Sequence, residues 1–321
     1  MKGAASTSLV ILVVAMALSV SRRGDAHDAR GIIQQEMHSA SPQLAAALAA
    51  TPSADVNTRS VLNNLRLWPV PRILTVCFLS GSSVLRARIT QSMRRVWPLE
   101  QLTNGLLKLD PASFSTTPDC GPNPNADIRI DFKAGDGYWS YVGIESRQHT
   151  PSMNLEGFTE TVPALTELDR LVGHETGHAL GLEHEHQSPV APDCGWNFPY
   201  LWTHYVWTSD ADMHANFNKL TDFLQDNQHA YIFSTYDQKS LMHYDFEPPA
   251  FLQGTNSKCY IQRNFSPSTQ DKNAISVAYS ASLLASQGQM RDAAPMLTQK
   301  FSTPQFQQLR QLLQNKVSLL P

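Results

Sequence analysis

The stretch His174-Glu175-Thr176-Gly177-His178-Ala179-Leu180-Gly181-Leu182-Glu183-His184 constrains this chain more than any other. It carries the spacing H-E-x-x-H-x-x-G-x-x-H. Read as a helix, His174 and His178 stand four residues apart and rise from one face, one turn apart. Two imidazoles so placed reach a single metal ion. Glu175 lies on the neighbouring part of that face, where its carboxylate meets a water held by the ion. Gly181 falls where the helix has to stop, because glycine takes the left-handed conformation without a Cβ penalty. The bend then returns His184 as a third nitrogen ligand. Three neutral imidazoles with an open fourth position are the catalytic form of a zinc site, whereas structural sites close all four positions.

H-E-x-x-H alone arises by chance, and a lone histidine on an apolar face is more often a core residue. The glycine and the third histidine, each at a fixed offset, separate this stretch from that case. Leu168, Leu171, Val172, Ala179, Leu180 and Leu182 give the helix an apolar face, and Thr166 with Asp169 marks its expected start. His186 is the nearby candidate for a closing fourth ligand, but two residues beyond His184 is an awkward reach within one tetrahedron.

With 321 residues the chain can bury one large core or two modest ones. A hydrophobic fraction of 42% and a charged fraction of 17% are those of a globular protein. The net charge of −3 and the lack of a long basic run argue against nucleic acid as a partner. Residues 1–26 read as a secretory signal: Lys2 gives a positive start, and residues 9–18 (LVILVVAMAL) form an apolar core too short to span a bilayer comfortably. Small residues follow, with cleavage near Ser21 or after Ala26. No other stretch is long and apolar enough to cross a bilayer, so the mature chain is expected to be exported, extracellular, without a membrane span, and monomeric. Export makes Cys77, Cys120, Cys194 and Cys259 candidates for two disulfides. Three pairings are possible; Cys77–Cys120 with Cys194–Cys259 is the expected one, since it keeps each bridge on its own side of the metal helix. Asn264-Phe265-Ser266 is a lone glycosylation sequon, weakened by Pro267.

Residues 27–60 are rich in Ala, Ser and Gln, with a possible helix around 42–50, and read as a pro-segment or flexible leader. A catalytic domain is expected over 61–285. Within it, residues 72–79 (RILTVCFL) predict a strand and 84–97 an amphipathic helix with Val84, Ile89, Met93, Val96 and Trp97 inward, stopped by Pro98. Residues 126–132 alternate apolar and polar as a half-exposed strand does, 138–143 predict the next strand, and 153–155 a short third one. Strand, helix and strands ahead of the metal helix predict a mixed sheet backed by helices. Further on, 212–228 read as a helix with Phe217, Leu220, Phe223 and Leu224 inward, and a helix opening at 266–271 runs to about Leu284. The tail, 286–321, is Gln-rich with one expected helix at 304–319.

These residues resemble the metzincin clan of zinc peptidases, and within it the astacin family. Glu185 follows the third histidine, as in that family's extended motif. Ser240-Leu241-Met242-His243-Tyr244 is similar to its methionine turn, and Trp139-Ser140 with Val142-Gly143 and Gln148 to its strand before the zinc helix. The similarity covers residues 67–279. It implies an α+β, zincin-like catalytic domain: a mixed twisted sheet with backing helices above the zinc helix, and a mostly irregular lower lobe with the methionine turn and a C-terminal helix. It also implies that His174, His178 and His184 hold one zinc ion per chain, with Glu175 as general base and later general acid. Met242 would floor the site, and Tyr244 would be an extra resting ligand that swings to stabilise the oxyanion. Trp139, Ser140 and Tyr141 would lie on the edge strand that pairs with extended protein or peptide substrates. Glu185 would bind the new N-terminus once a pro-segment is removed, with Asp28 and Asp55 the candidates for an inhibitory aspartate. Tyr138 stands where many relatives have a cysteine, so the family's usual disulfides are not reproduced.

The implied activity is secreted zinc endopeptidase. Three rivals belong to other classes: a catalytically silent relative that binds protein or matrix ligands, a structural zinc site closed by His186, and a zinc hydrolase of non-peptide bonds. The complete set of three histidines and Glu175 argues against the first, and the methionine turn against the last.

Overall fold

The computed structural model describes residues 61–286 apart from 64–65, 111–116, 122–124, 206, 208, 221–230 and 233–234. The signal, the leader with Asp28 and Asp55, and the tail with its expected helix at 304–319 lie outside the described residues.

The apolar run 72–79 makes two strands rather than one. After β1 (Leu62–Asn63), β2 (Arg72–Leu74) and β3 (Val76–Phe78) are divided at Thr75. There the backbone amide donates to Asp127 Oδ2 (3.2 Å), and the hydroxyl accepts from the Asp127 amide (3.0 Å). Backbone groups satisfied by a side chain do not continue a ladder, so the two halves join different sheets. The helix that follows, α1 (Ser83–Val96), starts at Ser82, whose hydroxyl accepts from Leu85 N at 3.2 Å. Leu85, Ile89, Met93 and Val96 form its buried stripe; Val84, expected inward, is instead 53% exposed.

α2 (Leu99–Leu102) leads into β4 (Leu107–Leu109), which pairs in parallel with β2. β5 (Ile128–Asp131), β6 (Tyr138–Ser140) and β7 (Met153–Leu155) join β3 in a four-stranded sheet of order β3-β5-β7-β6. Neighbours are parallel except at the β6 edge, where Trp139 lies opposite Asn154 in an antiparallel pair. β6 is shorter than expected: beyond Val142 the chain coils into a 3-10 turn, Gly143–Gln148. A Cβ on Gly143 would come within 1.8 Å of Arg66 O, so the turn lies directly on the N-terminal segment.

α3 (Leu165–Ala179) crosses beneath this sheet against α1. Its start differs from the expected one. Ala164 occupies the cap position without a side-chain bond, while Asp169 accepts from Ser92 Oγ and Arg95. Below come α4 (Phe198–His204), α5 (Asp210–Ala215), β8 (Tyr231–Ile232) and α6 (Thr269–Ser286). The helix expected over 212–228 is the shorter α5. Phe217 and Leu220 beyond it are still buried, and Phe223 and Leu224 fall outside the described residues. β1 pairs antiparallel with β8 and bridges Leu62 to Leu182.

Two apolar clusters result. The larger packs the sheet against α1, α3 and α6; the smaller fills the lower lobe around Leu201, Met213, Phe217 and Phe251. Disulfides join Cys77 to Cys120 in the upper part and Cys194 to Cys259 in the lower. The architecture is the α+β one the sequence implied, with a mixed sheet and helices above α3 and mostly irregular chain below. Among the described residues no helix is long and apolar enough to cross a membrane.

Candidate metal centre

The site is built on the last two turns of α3 and the bend after it. The helix ends where Leu182 N donates to Gly177 O (2.9 Å) and Gly181 N to His178 O (2.7 Å), with Gly181 left-handed at φ 101°. This pair of bonds around a left-handed glycine closes the terminus and reverses the chain. Carbonyls left over at the helix end take buried side-chain donors: Trp68 Nε1 to Ala179 O (2.7 Å) and the Tyr279 hydroxyl to Leu180 O (2.8 Å). One turn earlier, Trp97 Nε1 donates to Gly173 O at 2.8 Å.

The reversal brings one ring nitrogen from each of His174, His178 and His184 to within 4.8 Å of the others, and among the described residues this is the one cluster with metal-ligand geometry. The hydrogen bonds on the far side of each ring set its tautomer. His174 Nδ1 faces Leu241 O at 2.9 Å and His178 Nδ1 faces Leu182 O at 2.8 Å, so both nitrogens carry the proton. Gln187 spends its NH₂ on Ala215 O and Asn218 O, which leaves its Oε1 to accept from His184 Nδ1 at 3.3 Å. All three Nε2 atoms therefore carry lone pairs. His178 Nε2 and His184 Nε2 nevertheless face each other at 3.0 Å, and burial pushes the His178 imidazole down to about 4, so it carries no second proton at neutral pH. Two lone pairs at that distance repel, and a cation bound by both removes the conflict. The residues present fit zinc, for which neutral imidazole is a preferred ligand.

Glu175 is fully buried beside this cluster. Burial raises its carboxyl well above the usual range, opposed by the Arg170 charge. Tyr244 stacks at 5.5 Å from the His174 ring and lies 4.3 Å from that of His184. Its phenol is pushed well above the ordinary value by burial and then by Glu175, so it remains a proton donor at neutral pH. His186 does not join the three ligands. Its Nε2 donates to Asn216 O at 3.0 Å, and it packs among Trp196, Phe246 and Tyr244 instead.

Met242 lies fully buried beneath α3. The turn that carries it is held by Asp271, whose carboxylate accepts from Ser240 Oγ (2.7 Å), Leu241 N (2.8 Å) and Ser268 N (2.9 Å). Asn264 Nδ2 donates to Gln238 O and Ser240 O at 2.8 and 3.0 Å, so the amide of the sequon is engaged in bracing the same turn. Glu185, fully buried, accepts from Val61 N (3.2 Å) and Asp237 N (2.9 Å), joining the N-terminal segment to the approach of the turn. At the sheet edge, Trp139 on β6 and Tyr141, which falls just beyond the strand's end rather than on it as expected, are both half-buried and meet edge to face at 5.7 Å, while Ser140 is buried and its hydroxyl donates to Tyr141 O.

Trp97 is buried as the periodicity implies, but the sequence reading does not extend to the close contacts at Gly173 and Gly177, to Trp68, Trp97 and Ser240 as hydrogen-bond donors, or to Asp271 as the acceptor at the turn. The signal for the glycines was their place on the inner face of α3, where no cavity-filling side chain appears. Asp271 carries no mark in the sequence beyond its place in a helix start.

A sequence model of the peptidase family described as Astacin matches residues 116–276. Among solved structures, that of myroilysin is similar over 68% of this chain and 98% of its own, at 25% identity and a TM-score of 0.55. High choriolytic enzyme 1, a hatching enzyme zinc-protease of the medaka fish Oryzias latipes, aligns with 70% of this chain and 99% of its own, at 18% identity and a TM-score of 0.43. No curated protein matches the chain.

Proposed function

The chain belongs to the astacin family of zinc metalloendopeptidases, and from that premise we propose that it is a secreted enzyme that binds one zinc ion through His174, His178 and His184 and cleaves extended peptides with Glu175 as its base. The observation that carries the reading is the convergence of three buried imidazoles with their Nδ1 protons already committed elsewhere.

Zinc held by His174, His178 and His184 would supply a water activated at neutral pH and a Lewis acid for the scissile carbonyl. Glu175 accepts the proton of the attacking water and returns it to the leaving amine. Its complete burial beside the three imidazoles keeps bulk water from competing for that proton. Tyr244 directs its hydroxyl to the developing oxyanion, and Met242 fixes the floor against which the histidines are set. An extended substrate pairs with the backbone of β6 as an added strand, and Trp139 and Tyr141 flank its side chains. Residues 1–26 are the export signal, 27–60 a leader, 61–285 the catalytic unit and 286–321 a tail; the paired cysteines suit an oxidising exterior.

The purified protein should contain zinc and cleave casein or gelatin in a chelator-sensitive way. Glu175→Ala should retain the metal and lose hydrolysis by about 10²–10⁴-fold. A variant that turns over at the parent rate would remove Glu175 from its role, and a parent without zinc would remove the whole reading. Mass spectrometry of the secreted protein would locate its N-terminus.

A further inference from the structure

One ligand, His174, connects to a buried carboxylate through an unbroken line of hydrogen bonds. His174 Nδ1–H donates to Leu241 O at 2.9 Å. That carbonyl shares its peptide unit with the Met242 N–H, which donates to Ser240 Oγ at 3.0 Å. The Ser240 hydroxyl in turn donates to Asp271 Oδ1 at 2.7 Å. Every donor along the line points the same way, from imidazole to carboxylate, and Ser240, Met242 and Asp271 are all fully buried. Asp271 Oδ2 also accepts from Leu241 N at 2.8 Å, so both peptide units flanking Leu241 are anchored to one side chain of α6.

We propose that Asp271 and Ser240 are positioning residues for the metal site, acting through the 241–242 peptide to orient and polarise His174. The inference rests on the zinc reading above and extends it. A metal-bound histidine whose other nitrogen donates to a carboxylate is a recurrent arrangement, and such partners raise ligand basicity and fix the ring. Here a peptide unit and a hydroxyl stand between the two groups. Hydrogen bonds in series polarise one another in a low-dielectric interior, so the carboxylate acts at a distance that direct contact would not allow. His178 and His184 are oriented by Leu182 O and Gln187, neither of which belongs to this line. The effect should therefore fall on one ligand of three.

The test compares the full-length parent with Ser240→Ala and Asp271→Asn. Zinc affinity is measured by chelator competition, and the imidazole Nδ1–H protons of the zinc-loaded proteins are followed by NMR. The expected result is a loss of affinity of about 10–100-fold, with the His174 proton moving upfield while those of His178 and His184 stay in place. Affinity within about twofold of the parent would overturn the proposal, as would all three protons moving together, which marks general loosening. Should Asp271→Asn fail to fold, Ser240→Ala decides alone, since it removes a single buried oxygen. A parent that binds no zinc would instead overturn the proposed function, so the two failures are distinguishable.

Discussion

The sulfur of Met242 occupies the space that a side chain at position 177 would need: a Cβ built on Gly177 would lie 2.5 Å from Met242 Sδ. The helix and the turn approach this closely only because residue 177 has no Cβ. Gly177→Ala should therefore push the buried thioether aside and cost about 1–3 kcal/mol. Denaturant unfolding of the zinc-free protein would measure it, and a neutral or stabilising substitution would refute the contact.

Tyr244→Phe keeps the ring stacked on His174 and removes only the hydroxyl. If that hydroxyl meets the oxyanion, kcat should fall about 100–1000-fold with KM nearly unchanged, the usual cost of one such donor. Steady-state kinetics on a quenched peptide would separate the two constants. A change confined to KM would place Tyr244 in substrate binding instead.

Burial pushes the His243 imidazole down to about 4. Its Nδ1–H donates to Tyr244 O at 2.8 Å, and its Nε2 accepts from the Tyr236 hydroxyl, so a second proton would break that bond. The folded state thus favours the neutral ring, while the unfolded chain takes up a proton below about 6.5. This contribution to stability is complete above about 6.5 and is lost as pH falls toward 4, with a slope of roughly 1.4 kcal/mol per pH unit. The stability difference between parent and His243→Gln, measured without zinc, should shrink across that window on acidification. A difference that is independent of pH would contradict the assignment.

The Cys194–Cys259 bridge lies in the smaller apolar cluster, and neither cysteine is among the three ligands. Replacing both cysteines with alanine should cost about 2–5 kcal/mol yet leave the stoichiometry of zinc in the folded protein unchanged. Thermal melting and metal analysis of one preparation would check both halves.

The ligands were legible because His174, Glu175, His178 and His184 lie in one short stretch, where helical periodicity and one glycine determine the geometry. Met242 and Tyr244 were legible only through the resemblance of residues 240–244 to the family's methionine turn. What escaped depends on contacts made across the chain. Trp68, 111 residues from its partner Ala179, has no local mark that separates it from any core tryptophan. Thr75 looked like one more β-branched strand residue until Asp127 took its amide. Thr166 resembled a helix cap, but the helix begins one residue earlier, at Leu165, without any side-chain cap.

That contrast bears on how the molecule is made. The imidazoles are neighbours along the chain, while the groups that lock their helix and bend arrive from as far upstream as Val61 and as far downstream as Tyr279. A peptide spanning 174–184 alone would carry all three imidazoles and none of the groups that aim them. Only the folded domain brings Val61, Trp68, Asp271 and Tyr279 to that stretch, so the ligand geometry belongs to the whole fold and not to the motif.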